Sequence, residues 1–377
     1  MKILIALATV PLLHAQLVFI GTYTSKEVAP ATDSKGIYAA RFDAKTGKLG
    51  PVSLAAATPN PSFVALHPSG RFLYAVNELP SPKNDKPGLI TAFSIDKATG
   101  KLTQLNQLST KGAAPCHVVV DATGKSLLVS NYNAGSFITY QLGADGKIGP
   151  EGSLIADKGA LGPVKDRQDA PHSHELVIAK NNQTVLGADL ALDRVLLFRL
   201  DAATARLTPL NPPSVALSAG TGPRHIAVSP DQKHVYVLGE LSATITQFDF
   251  DDATGALKQV GAVSTVPAGF QGKKWAAEIA FDASGKHLYS SNRADDESIA
   301  VFDVDARTGA LKNSQIIKSG GKTARVFAID PSGQWMLVGH QDSNNITVFR
   351  IDAATGKLTL ANSDTRIGAP VSLQFAP

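Results

Sequence analysis

The sequence predicts an all-β protein: a seven-bladed β-propeller of four-stranded blades, with the ring closed by the C-terminal strand joining the N-terminal blade. Three observations lead to this prediction. A turn motif recurs along the chain, a strand–turn–strand motif alternates with it, and each end of the chain carries only part of a blade. Helical periodicity is almost absent, so strands must build the core.

The turn motif reads Asp-x-x-Thr-Gly-x-Leu. Its aspartate can bond to its own backbone and its glycine accepts φ > 0, which is typical of a hairpin loop between two strands. From Gly47 to Gly356 the copies are spaced by about 51 residues, in the size range of propeller blades. The copies occupy residues 43–49, 96–102, 201–207 (with Ala205 in the glycine position), 251–257, 305–311 and 352–358, with a shortened copy at 143–148.

The second motif is a strand, a tight turn and another strand. Residues 61–66 lead through a Pro-Ser-Gly turn into residues 72–76, and residues 115–120 lead through a Thr-Gly turn into residues 127–129. Later copies begin at Pro171, Pro223, Trp275 and Thr323.

The two ends of the chain complement each other. Residues 370–375 form a first strand with no second strand after it, and residues 17–22 form a second strand with no first strand before it. The last strand can therefore complete the N-terminal blade and close the ring, which leaves few strand edges exposed. An open sandwich-like array is the alternative, but it would leave both half-blades unpaired.

Composition excludes several classes of protein. Hydrophobic residues make up 44% of the 377 residues and charged residues 18%, enough to bury a sizeable core and to exclude global disorder. The net charge of +4 is not gathered into basic runs, so we expect no nucleic-acid partner. No later stretch reaches about 18 apolar residues, so we expect no membrane association. We expect a monomer.

Cys116 is the single cysteine of the chain. It allows no intramolecular disulfide and excludes zinc sites built from cysteines. We expect a small, half-buried side chain at this position, with a thiol nucleophile as the alternative.

The N-terminus has the pattern of a secretory signal peptide. Lys2 is followed by an apolar run over residues 3–13, which is too short to span a bilayer, and then by the small residue Ala15. A buried first strand is the alternative, because residues 17–20 continue the apolar pattern. We expect a signal peptide over residues 1–15, a propeller domain over residues 16–377, and a periplasmic or secreted protein.

Polar residues gather at one rim of the predicted ring. The first strand of each blade lies nearest the axis and the second runs antiparallel to it, so first-strand starts and second-strand ends meet at the same rim. Ionisable or amide groups at nearly every corner indicate a ligand-binding mouth, although any one of them could instead bridge two blades. The first-strand starts supply His117, His172, His174, Arg224, His225, Glu278 and Arg325, and the second-strand ends supply Asn77, Glu78, Asn131, Asp189, Glu240, Asn292, Arg293 and His340.

Two histidines of this rim share one strand. His172 and His174 are two residues apart, which places them on the same face of a regular strand. They could carry a proton, or they could bind a metal with Asp189 or Glu240 as a third ligand.

Arginines flank an acid on the next two blades. Arg224 and Glu240 are joined across one turn, and Arg293 ends the second strand of the following blade. Two arginines with an acid between them suit an anionic or oxyanion-forming substrate. The chain contains no G-x-S-x-G elbow, so a covalent serine mechanism has no support from motifs.

The chain resembles the seven-bladed propeller lactonases of the 6-phosphogluconolactonase type, a family that also includes a fungal carboxymuconate-cyclising enzyme. The resemblance covers nearly all of the chain after the signal pattern. The motifs that carry it are Gly21-Thr22-Tyr23-Thr24, Gly36-Ile37-Tyr38, Asn60-Pro61-Ser62, Val76-Asn77-Glu78, Ser130-Asn131-Tyr132, His172-Ser173-His174, Gly222-Pro223-Arg224-His225, Ser291-Asn292-Arg293 and Gln341-Asp342-Ser343.

The resemblance implies hydrolysis of a sugar lactone to its acid without a metal or other cofactor, with 6-phosphogluconolactone as the family's substrate. His172, Arg224, Glu240 and Arg293 match positions implicated in catalysis by the cyclising relative. A histidine, His172 or His174, would take a proton from water, the arginines would bind the substrate anion or the oxyanion, and Glu240 would orient the histidine or relay the proton. As substrate-binding residues we expect Glu78, His117, Asn131, His174, Asp189, His225, Arg325 and His340.

Two other functions remain open at this point. One is a secreted propeller that binds a ligand without turnover. The other is a lactonising or isomerising enzyme, which the same histidine and arginines could serve.

The expected export can be tested directly. Protein from the native host should begin near Gln16, because the signal pattern ends at Ala15. Mass spectrometry of the intact protein from fractionated cells checks this. An intact Met1 on cytoplasmic protein would contradict the predicted signal peptide.

Overall fold

The computed structural model describes residues 15–79 and 86–377. Residues 1–14 of the expected signal peptide lie outside these ranges, and Ala15 opens the first strand. Within them, no helix has the length and apolar character needed to cross a bilayer.

The described ranges contain strands joined by turns and loops. In chain order they are β1 Ala15–Thr22, β2 Gly36–Asp43, β3 Lys48–Leu49, β4 Ser53–Ala57, β5 Val64–Leu66, β6 Phe72–Asn77, β7 Leu89–Ile95, β8 Leu102–Ser109, β9 Pro115–Val120, β10 Ser126–Asn131, β11 Ser136–Leu142, β12 Ile148–Ala156, β13 Ser173–Ile178, β14 Thr184–Asp189, β15 Arg194–Asp201, β16 Arg206–Ala216, β17 Pro223–Val228, β18 His234–Gly239, β19 Thr244–Asp251, β20 Ala256–Ser264, β21 Lys274–Phe281, β22 His287–Ala294, β23 Ser298–Val304, β24 Leu311–Lys318, β25 Ala324–Ile329, β26 Trp335–His340, β27 Asn345–Ile351, β28 Leu358–Arg366 and β29 Pro370–Phe375.

These strands form seven antiparallel sheets, which confirms the predicted seven-bladed propeller. Six sheets consist of four consecutive strands, beginning with β5, β9, β13, β17, β21 and β25. The first strands of neighbouring sheets contact one another in sequence, and β29 contacts both β25 and β5. The first strands therefore surround a closed central channel.

The C-terminal strand closes the ring as predicted. β29 pairs with β1, with Leu373 opposite Ile20 and Phe375 opposite Val18. Leu373 is buried in the apolar cluster between this blade and the preceding one. In this closing blade the outermost strand is split into two short pieces, β3 and β4, which both pair with β2.

The hydrophobic core lies between neighbouring blades. Tyr74 and Val76 of one blade, for example, pack with Val118 and Val129 of the next. Buried tyrosine hydroxyls reinforce these contacts by donating to glycine carbonyls in the turns of the next blade: Tyr74 to Gly146 at 3.0 Å, Tyr236 to Gly309 at 2.6 Å and Tyr289 to Gly356 at 2.9 Å.

The recurring turn motif therefore also packs against the preceding blade. Gly47 shows why glycine is needed there: its φ is 69°, and a Cβ atom at this position would clash with the Trp335 ring. Trp335 in turn donates its Nε1 hydrogen to the Ala44 carbonyl at 2.8 Å, across the closure of the ring.

Candidate active site

A cavity of about 210 Å³ opens at the rim where the first strands begin. The side chains that line it come from all seven blades and from one loop. They are Tyr23, Glu78, Cys116, Tyr132, Arg167, His174, Glu240, Trp275, Arg293 and Arg325. A wider groove of about 780 Å³ lies where the start of β1 meets residues 376–377, but none of the predicted site residues lines it.

β-Bulges at the starts of the first strands aim side chains into this region. In β9, β13, β17 and β25 one residue is left without a partner opposite it on the neighbouring strand. A bulge bends the strand and turns the extra side chain out of the regular alternation. The four bulged residues are Cys116, His174, Arg224 and Arg325.

Glu240 is the centre of the charged network. Its Oε1 atom lies 2.7 Å from Arg167 Nη2, and its Oε2 atom lies 2.9 Å from Arg293 Nη2 and 3.1 Å from Arg224 Nε. Burial by itself would raise the pKa of Glu240, but the three arginines, led by Arg293, lower it to about 2. Glu240 is therefore a fixed anion that positions three guanidinium groups.

Arg167 was not predicted from the sequence. It lies in the loop between β12 and β13, outside the repeated motifs, and its Nη2 group donates to Tyr132 Oη at 3.1 Å as well as to Glu240. Trp275 forms an aromatic wall beside it, 5.0 Å from the Arg167 guanidinium and 5.9 Å from that of Arg293. The loop thus completes the arginine cluster.

Arg325 has a different environment. Its guanidinium lies 5.3 Å above the Tyr23 ring, and Tyr23 donates its hydroxyl hydrogen to Glu78 Oε2 at 2.9 Å. Among the described residues no carboxylate forms an ion pair with Arg325. Its charge is therefore available to a ligand in the cavity.

The two neighbouring histidines occupy different positions. His172 precedes β13 and stacks on the Tyr132 ring at 4.4 Å, outside the cavity lining. Its Nδ1 lies 3.1 Å from the Tyr132 carbonyl and its Nε2 lies 3.0 Å from Asp169 Oδ1, so both ring nitrogens are engaged. His174 lines the cavity. The bulge removes the strict alternation that placed both rings on one face.

His174 is a neutral imidazole near pH 7. Burial and then the Arg224 charge hold the pKa of His174 well below its usual range. Its buried Nδ1 atom has no hydrogen-bond partner among the described residues. Beside it, the Cys116 Sγ atom lies 3.2 Å from the His174 carbonyl oxygen, and burial raises the pKa of this thiol well above its usual range, which disfavours the thiolate.

Several predicted residues lie outside the cavity lining. Asn131 donates to the Thr110 carbonyl at 3.0 Å. Asp189 Oδ1 accepts hydrogen bonds from three backbone N–H groups, including that of His172 at 3.1 Å. His340 is completely buried, and burial lowers its pKa to about 4. His117 and His225 also lie outside the cavity lining, each beside a carboxylate.

The structure therefore brings together Glu78, His174, Glu240, Arg293 and Arg325, with Arg224 bound to Glu240. Sequence reasoning missed four lining residues: Tyr23, Tyr132, Arg167 and Trp275. Tyr23 and Tyr132 directly follow the second strands β1 and β10, so their position one residue beyond a second-strand end is a signal that the sequence carries. Within residues 15–79 and 86–377 no cluster of three His, Cys, Asp or Glu side chains could hold a metal ion.

A family model described as "Lactonase, 7-bladed beta-propeller" matches residues 17–375. The chain belongs to this family. It is 32% identical over 357 residues to a 6-phosphogluconolactonase from Bacillus subtilis, and the match covers 95% of this chain and 97% of the relative. A 6-phosphogluconolactonase from Formosa agariphila is 33% identical over 359 residues, with 95% and 98% covered.

Solved structures show the same relationship across the whole lactonase domain. A putative 6-phosphogluconolactonase from Bacteroides fragilis has a TM-score of 0.88 at 33% identity, with 97% of this chain and 98% of that chain covered. A periplasmic gluconolactonase from Pseudomonas aeruginosa has a TM-score of 0.89 at 30% identity, with 96% and 99% covered.

The charged network yields a test of stability. Glu240→Gln should lower the free energy of unfolding by roughly 3–5 kcal/mol near pH 7, because buried arginines lose their counter-charge. The pKa of Glu240 is lowered from 4.5 to about 2, so the stability that its carboxylate contributes is present above pH 4.5 and is lost as the pH falls towards 2. The deficit of the variant should therefore shrink over that window, as measured by denaturant unfolding.

Glu151→Gln is the matched control for this experiment. Glu151 pairs with Lys111 at the surface, where an ion pair contributes less than about 1 kcal/mol. Equal losses in the two variants would contradict the central role given to Glu240.

Proposed function

We propose that this family member hydrolyses a sugar lactone to its acid, with an anionic, 6-phosphogluconolactone-like substrate. The observation that carries the proposal is the charge of the cavity region. Arg167, Arg293 and Arg325 line the cavity, Arg224 lies behind it, and Glu78 and Glu240 supply the only carboxylates on the described lining. Such a site attracts an anion, and relatives named 6-phosphogluconolactonase match nearly all of the chain.

His174 is the general base in this proposal. It lines the cavity as a neutral imidazole, whereas both ring nitrogens of His172 are already engaged. His174 takes a proton from water as the water oxygen adds to the lactone carbonyl. The ring C–O bond then breaks, and the proton passes to the departing alkoxide oxygen, which leaves an open-chain acid.

The arginines stabilise negative charge in two ways. The buried Nε of Arg293 has no hydrogen-bond partner among the described residues, so this guanidinium is suited to hold the developing oxyanion. Arg325 has no ion-pair partner among the described residues, and it lines the cavity. It is therefore suited to bind a substrate phosphate or carboxylate. Glu240 stays ionised and holds the arginine cluster in place.

We also propose that the protein is exported. The signal-like residues 2–15 support this, as does the relationship to a Pseudomonas aeruginosa protein named a periplasmic gluconolactonase. Because that relative is named a gluconolactonase, an unphosphorylated sugar lactone is the second candidate substrate.

The function is tested by acid release from 6-phosphogluconolactone and from δ-gluconolactone, with purified protein. His174→Ala should lower kcat by roughly 10²–10⁴-fold with little change in KM, because the general base accepts its proton in the transition state and contributes little to substrate binding. His172→Ala is the discriminating variant, and melting curves confirm that both variants fold. A larger loss of kcat in His172→Ala would reverse the assignment of the base.

Absence of turnover with both lactones would contradict the hydrolase proposal and favour a binding protein. Ring closure of an unsaturated acid, without lactone hydrolysis, would favour the cyclising alternative.

The role of Arg325 gives a separate prediction. Arg325→Met should raise KM for the phosphorylated lactone by roughly 10–100-fold while kcat changes little, because a half-buried charge partner of the anion is lost. Arg350→Met is the control, since Arg350 also stacks on an aromatic ring, 4.7 Å above Trp335, but lies on a different surface. An equal rise in KM for both lactones would show that Arg325 does not bind the phosphate.

A further inference from the structure

Two histidine–carboxylate pairs lie in the central channel and do not line the cavity. His225 Nδ1 lies 2.8 Å from Glu278 Oε1, and His117 Nε2 lies 3.4 Å from Glu175 Oε1. All four side chains are at most 13% exposed. Neither carboxylate has a role in the mechanism proposed above.

Only one of these pairs is connected to the arginine cluster by hydrogen bonds. His225 Nε2 lies 3.0 Å from Arg224 Nη1. A guanidinium can only donate, so Nε2 must accept, and the ring hydrogen must sit on Nδ1, where it is donated to Glu278. Because Arg224 also pairs with Glu240, a continuous chain runs from Glu278 through His225 and Arg224 to Glu240.

Glu175 has a different set of partners. Its Oε1 faces His117, and its Oε2 accepts the Ile226 backbone N–H at 2.5 Å. Within the described ranges no ion pair joins it to an arginine. Glu175 and Glu278 are thus similarly buried, but they have different hydrogen-bond and ion-pair partners.

Glu278 is also reached from the far end of the channel. It lines a second cavity of about 370 Å³, together with residues from the later parts of β25 and β29. These are the ends of first strands, so this cavity lies away from the rim where the lactone would enter. The Glu278 carboxyl can therefore exchange a proton on that side.

We propose that Glu278 is a positioning residue for the lactonase site: its carboxylate fixes the tautomer of His225, which accepts a hydrogen bond from Arg224 and so holds Arg224 against Glu240. This inference rests on the proposed function, because the arginine cluster is the part of the site that it organises. Glu278 itself does not line the cavity and takes no direct part in lactone hydrolysis.

The electrostatic setting makes this device sensitive to pH. Burial raises the pKa of Glu278 to about 7, while Arg224, the Ile279 backbone N–H, His117 and Arg325 act in the opposite direction. Burial and then the Glu278 charge hold the pKa of Glu175 on β13 well above its usual range. Burial and nearby arginines hold the pKa of His225 well below its usual range. The group of this pair that titrates between pH 6 and 8 is therefore Glu278: its carboxyl is protonated towards pH 6 and ionised towards pH 8.

Activity should follow the ionisation of Glu278. In the wild-type protein kcat should rise with pH about a midpoint near 7, as the carboxylate forms. Glu278→Gln keeps the shape and one acceptor oxygen but cannot ionise. It should lose this pH limb and lower the kcat plateau by roughly 10-fold or more, with KM little changed.

Glu175→Gln is the matched control, since it removes a similarly buried carboxyl group that lies outside the chain of contacts from Glu278 to Glu240. It should retain the wild-type pH limb. A Glu278→Gln variant with the wild-type pH profile and kcat would overturn the proposal, as would loss of the same limb in Glu175→Gln. Melting curves at pH 8 identify any variant whose activity is lost through unfolding.

A measurement without substrate separates this proposal from the lactonase assignment. ¹⁵N spectra of the His225 ring should show an Nδ1–H tautomer at pH 8 that changes towards pH 6, and Glu278→Gln should abolish the change. Absence of lactone turnover by the wild-type protein would defeat the proposed function alone. A His225 signal that is the same at both pH values would overturn the role of Glu278.

Discussion

Closure of the ring is the constraint on which the site depends. A single four-stranded blade has two apolar faces and cannot bury them alone, so each blade needs a neighbour on both sides. β29 supplies the last contact by pairing with β1, and it places the seven first strands around one channel. Because all these strands run in the same direction, their starts converge on one rim. Polar residues distant in sequence become neighbours only there.

The convergence of the strands brings several positive charges together, and the site uses that charge. Four arginines are gathered within a small, largely buried space, where like charges repel strongly. Glu240 offsets this repulsion by pairing with Arg167, Arg224 and Arg293 at once. Arg325 is left with an aromatic neighbour instead of a carboxylate. The site is therefore organised around an internal anion and still has positive charge to offer a ligand.

Side-chain direction in this site is decided by irregular backbone. The bulges in β9, β13, β17 and β25 turn Cys116, His174, Arg224 and Arg325 away from the alternating pattern of their strands. The same bulge in β13 separates the roles of two histidines that are two residues apart: His174 faces the cavity and His172 stacks behind Tyr132. Regular strands would not bring these groups to the axis so closely.

The sequence by itself determined the repeat, the number of blades, the way the ends join and the rim that carries the polar residues, because turn chemistry and strand alternation are local properties. It also identified Arg224, Glu240 and Arg293 as neighbours, since each ends or begins a strand at that rim. Only the tertiary structure decided which polar residues enter the cavity. His174 occupies a bulge in β13, Arg167 reaches the cavity from the loop between β12 and β13, and the link from Glu278 to Arg224 joins two adjacent blades. None of these can be read from spacing along one strand, because each arises from contacts between segments far apart in the chain.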